Sequence, residues 1–110
     1  MQKTSLTALL RHQLDTAKAA SSGRSAQTVY GGHERGLRQT MVALRAGSIL
    51  AEHESPGEAT LQVLHGRITL VAGPDRWNGS PGDLLIIPDD RHALEAEEDS
   101  VVLLTVAKRR

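Results

Sequence analysis

A chain of 110 residues is the size of one small domain, and its 13 basic and 13 acidic residues cancel. A neutral chain lacks the basic face that nucleic-acid binding needs for counterion release, so no nucleic-acid partner is expected. The absence of cysteine excludes disulfides and thiolate metal sites. The only aromatic residues are Tyr30 and Trp77, so the core has to be aliphatic and any pocket has few rings to offer.

The first element is helical. From Thr4 to Ala20 the apolar residues Leu6, Leu9, Leu10, Leu14 and Ala17 recur at helical spacing, with Thr4 or Ser5 as the cap and Ser21-Ser22-Gly23 as the stop. Arg11 and His12 break the run from Leu6 to Leu10, which is unlike a signal peptide. No stretch reaches the length of a membrane span, and a cytoplasmic protein with no membrane partner is expected. The predicted division is an N-terminal amphipathic helix over residues 1–24 and a β-barrel over residues 25–110.

After Gly23 the period changes to short runs of Val, Ile, Leu and Thr broken by Gly, Pro, Asp and Asn. Strands are predicted near 26–31, 37–45, 48–54, 59–65, 67–72, 75–78, 83–88, 91–96 and 100–107. Many short strands at this spacing indicate an all-β sandwich or barrel.

Alternation assigns faces. Ile49, Ala51 and His53 share one, opposite Leu50, Glu52 and Glu54, so His53 is expected to point inward. His92, Leu94 and Ala96 share another and place His92 inward as well. Over 38–41, either Gln39 with Met41 or Arg38 with Thr40 looks into the barrel; the alternative is an outer face under the helix. The run from Asp83 to Pro88 is apolar on both sides and reads as a covered central strand.

Two segments resemble the motifs of the cupin superfamily of jelly-roll barrels. The first family motif is G-x5-H-x-H-x3-E-x6-G; here Gly47 is followed by five residues and His53, and the segment closes on Val63-Leu64-His65-Gly66. The second is G-x5-P-x-G-x2-H-x3-N; here Gly82-Asp83 leads through five residues to Pro88, with His92 beyond. The resemblance implies an all-β cupin-type jelly roll with one N-terminal helix, covering about residues 37–106, and is nearest to small bacterial cupins of the RmlC-like kind.

In metal-binding cupins the motif histidines and glutamate hold a divalent transition metal. By this resemblance His53 and His92 are the candidate metal ligands, while Ser55 and Ala59 stand where the second histidine and the glutamate belong. Glu58 is one residue early, which on a strand turns it to the other face. Asp90 replaces the second motif's glycine, and Ala96 its asparagine. A catalytic metal needs about three protein donors, and His33, Gln39 or Gln62 are the candidates for a third. His65 reads as a surface residue, and Trp77 as packing, interface or pocket lining.

Three functions follow as expectations. The favoured one is a small-molecule-binding cupin with a degenerate metal site, its ligand lined by His53, His92, Gln39 and Met41. Two imidazoles on one cavity suit proton transfer or recognition of an anionic or polar small molecule. The second is a metal-dependent dioxygenase or isomerase using His53, His92 and a non-standard third ligand. The third is a structural or assembly protein. A homodimer is expected in each, because jelly rolls have edges to cover.

Overall fold

The computed structural model describes residues 1–53 and 57–108, without the side chains of Glu52 and His53. Helix α1 (Leu6–Ala19) is capped by Ser5, whose Oγ accepts from the Ala8 amide at 3.2 Å. Nine strands follow: β1 (Arg24–Gly31), β2 (Leu37–Leu44), β3 (Ile49–His53), β4 (Gly57–His65), β5 (Ile68–Ala72), β6 (Asp75–Gly79), β7 (Leu84–Ile86), β8 (His92–Ala96) and β9 (Ser100–Lys108). They form two antiparallel sheets, ordered β1-β2-β9-β4-β7 and β3-β8-β5-β6. This is the expected all-β jelly roll with one N-terminal helix. Among the described residues no helix is long and apolar enough to cross a membrane.

The sheets meet through one aliphatic core. Val42, Leu44, Leu61, Val63 and Val102 of the larger sheet pack on Ile68, Leu70, Leu94 and Ala96 of the smaller. Strand β4 shows why the sequence folds this way. Ala59, Leu61 and Val63 are buried while Glu58 and Gln62 are exposed, the alternation of a strand with one wet face. The glycines that frame the two motifs, Gly47, Gly66 and Gly82, all have positive φ, which only glycine adopts readily. Gly66 is the most constrained of them: a Cβ there would collide with the Asp99 carbonyl oxygen and the Ser100 hydroxyl.

The helix covers the outer face of the larger sheet. Ala17, Met41, Ala43 and Val101 are fully buried there, with Leu6, Leu9, Leu10 and Leu14 packed against them. Gln13 fixes the docking register: its Nε2 donates to Gln27 Oε1 at 2.8 Å, and its Oε1 accepts from the Ser25 hydroxyl. Arg45 closes the far end, its Nη1 donating to the carbonyls of Lys18 and Ala20, each at 3.2 Å.

The reading of residues 83–88 as a covered central strand is corrected. Strand β7 is the edge of the larger sheet, and Leu84 and Ile86 are 60% and 61% exposed. Only Leu85 and Ile87 of this run point into the core. An apolar run on both faces also arises in an edge strand whose outer face is apolar.

Three substitutions test this packing. Gly66→Ala is expected to cost more than about 2 kcal/mol in a denaturant titration, from strained φ plus collision. Gly73→Ala, also at positive φ but with open space around it, is expected to cost only about 1 kcal/mol. Met41→Ala, under the helix, is expected to cost about 2–5 kcal/mol as a buried cavity.

Candidate functional site

The site is built where β3 meets β8. The register sets His53 directly opposite His92, after an irregularity beyond Leu50. The His53 side chain, Ser55 and Glu54 lie outside the described residues. His92 is 5% exposed, and its Nδ1 lies 3.0 Å from the Asp90 carbonyl oxygen. A carbonyl only accepts, so Nδ1 carries a proton and donates to it.

His92 lines a cavity of about 20 Å³ between the sheets, together with aliphatic side chains such as Val42, Leu61, Leu70 and Leu94. Among its described lining residues His92 is the only polar one. A volume of this order holds about one water molecule. Leu70 separates it from a second cavity of about 60 Å³, lined by Leu70, Ala72, Asp75, Trp77, Pro88 and Asp90. This vestibule sits beside the loop that carries Asp90 into β8. A wider groove of about 400 Å³ runs past Gly57, Glu58, Thr60, Ile86 and Asp89.

The other candidate residues are elsewhere. Gln39 and Met41 face outward, not into the barrel, which corrects their expected place in the ligand pocket. Met41 is buried under the helix, and Gln39 Nε2 donates to Thr105 Oγ1 at 3.2 Å. Their neighbours Val42 and Leu44 hold the inner face. The physical reason is that the helix buries the outer face, so burial on β2 does not alternate. None of the proposed third donors reaches the interior either. His33 and Gln62 are exposed, and Gln39 is turned outward. His65 is exposed. Ala59 is 8% exposed in the core and Glu58 is on the solvent side, as the one-residue displacement predicted.

The vestibule residues Asp75 and Asp90 carried no expected ligand role. A usable signal was present for one of them. Asp75 and Trp77 alternate along β6, and the register pairs them with Ala72 and Leu70. Leu70 belongs to the core, so both side chains fall on the barrel side of the strand.

A transition metal needs about three protein donors. Among the described residues no three histidine, aspartate or glutamate side chains come together to hold one. The described donors, His92 above an aliphatic wall with a methyl group at position 59, do not by themselves make up such a set.

No protein-family model matches the sequence, and no curated protein sequence matches it. Solved structures do. A cupin superfamily protein of Desulfitobacterium hafniense is similar at a TM-score of 0.77 and 14% identity, over 99% of this chain and 94% of that one. An RmlC-like cupin of Desulfovibrio desulfuricans is similar at 0.67 and 25% identity, over 76% and 81%. A mutant form of the salicylate 1,2-dioxygenase of Pseudoaminobacter salicylatoxidans is similar at 0.76 and 20% identity, over 91% of this chain and 34% of the dioxygenase. Two antiparallel sheets closed around an aliphatic interior, with the motif glycines at their turns, agree with these likenesses: the chain is a cupin-fold protein.

Proposed function

We propose that the protein binds a small molecule at the mouth of its barrel, over the His53–His92 strand pair, without a resident metal. The observation that carries this is His92. It is a buried imidazole on an otherwise aliphatic cavity, and the Asp90 carbonyl orients it. A ring oriented this way puts hydrogen-bonding chemistry on an otherwise aliphatic wall, suited to a ligand's polar group. The cavity beside His92 holds about one water, so in this reading the ligand caps the barrel instead of filling it.

The test is a metabolite screen by thermal shift, run beside elemental analysis of the untagged protein. A ligand at a hundred times its Kd is expected to raise Tm by roughly 10 °C. That shift is expected to vanish in His92→Ala, with folding of the variant checked by circular dichroism. Metal content is expected well below one ion per chain. One tightly held ion per chain, lost in His92→Ala, would overturn the reading in favour of a metal-dependent enzyme. A screen with no hit would overturn it as well.

We also propose that the partner is a second copy of the chain, seated on the uncovered part of the larger sheet. Leu84 and Ile86 on β7 share an outer face with Thr60 and Gln62 of β4 and Thr105 of β9. Leu37, 41% exposed, lies across from Ala107 on the same sheet. The rows through Leu84 and Ile86 carry no charge, and β7 is an unpaired edge. An edge strand pairs antiparallel with its own copy about a two-fold axis, so the contact is self-complementary. Light scattering after size exclusion is expected to give a dimer, and Ile86→Asp a monomer. A wild-type monomer at high concentration would refute it.

A further inference from the structure

The vestibule has a chemistry of its own. Its polar side chains are the carboxylates of Asp75 and Asp90, and its ring is Trp77. Strand β6 sorts its side chains by charge. Asp75 and Trp77 take the barrel side, while Arg76 takes the outer side and bridges Glu95 at 2.7 Å. The nearest cation on the strand is thus turned away and already paired. Among the described residues, neither Asp75 nor Asp90 takes part in an ion pair. Trp77 remains 47% exposed, although it is the only tryptophan in a chain with almost no aromatic surface.

Two carboxylates that line one cavity with an indole favour one ligand class. The negative face of the ring attracts a cation, and organic ammonium ions gain more there than small, strongly hydrated ions do. The carboxylates add Coulomb attraction and repel anions. The volume, about 60 Å³, is three times that beside His92 and has room for a few water molecules, the scale of a small ligand head. Leu70 then offers an apolar floor for its carbon arm. Resting on the small-molecule reading above, we infer that the vestibule binds a small organic ammonium ion, with Trp77, Asp75 and Asp90 as its recognition residues. This narrows the ligand class and replaces the anionic ligand that two histidines alone suggested.

Asp90 joins the two halves of the site. Its side chain lines the vestibule, and its backbone oxygen holds His92 Nδ1. An ammonium head at Asp90 therefore lies close to the imidazole along the chain.

Trp77 is the only tryptophan, so its fluorescence reports the site directly. The protein is titrated with tetramethylammonium, choline and choline's neutral carbon isostere dimethylbutanol, at constant ionic strength. Both ammonium ions are expected to change the emission saturably, with the isostere at least threefold weaker. Asp75→Asn and Asp90→Asn are each expected to weaken choline binding about three- to tenfold, with Tm confirming that both variants fold. Trp77→Leu, followed by calorimetry, is expected to lose binding to a similar degree. Equal binding of the isostere, or saturation unaffected by both Asn variants, overturns the inference. If ammonium ions fail while neutral metabolites still shift Tm through His92, the ammonium class falls and the small-molecule reading stands. If nothing binds by either method, both fall.

Discussion

Everything about this molecule depends on closing a barrel without aromatic side chains. Phenylalanine is absent, and the two rings that exist lie outside the core. The space between the sheets is filled by leucine, valine, isoleucine and alanine, whose small, branched shapes pack closely. That filling leaves about one water's volume beside His92. A jelly roll with a roomy interior carries its chemistry inside. Here the space beside His92 is given over to packing, and the proposed binding is at the rim.

The same constraint explains what the sequence made legible. Strand positions follow from glycine and proline breaks, because each turn needs a φ or a stiffness that few residues supply. Faces were legible on β4, where Glu58 and Gln62 mark the wet side. They were not legible on β2 or β7. On β2 the helix buries the outer face, so Met41 and Val42 are both buried and alternation has no contrast to read. On β7 the outer face is apolar yet exposed, so hydrophobicity there reports a surface and not a core. Periodicity detects a difference between faces; it is silent where both faces are apolar.

The motif resemblance had a similar boundary. Its glycines mark turns, and they survive because the backbone requires them. Its ligand positions carry no such backbone constraint and can drift. Ala59 shows the drift: a methyl group fits the core where a carboxylate would stand desolvated and unpaired. His92 shows the opposite. A buried imidazole is harder to keep than an alanine, since its ring nitrogens need partners, and the Asp90 carbonyl supplies one of them.

The replacement of the motif's glycine by Asp90 then has a physical consequence. A glycine at that point gives only a backbone oxygen. Asp90 gives the same oxygen to His92 and adds a carboxylate to the residue set that lines the cavity with Trp77 and Asp75. Two functions thus meet in one residue: orientation of an interior imidazole, and negative charge at the entrance. The carboxylate is exposed, so its attraction for a cation is screened and modest. The ring and the second carboxylate raise it to the level of selectivity, because all three act on the same charge. In the proposed mode a ligand's charge is met at this rim, while hydrogen bonding belongs to the buried ring of His92.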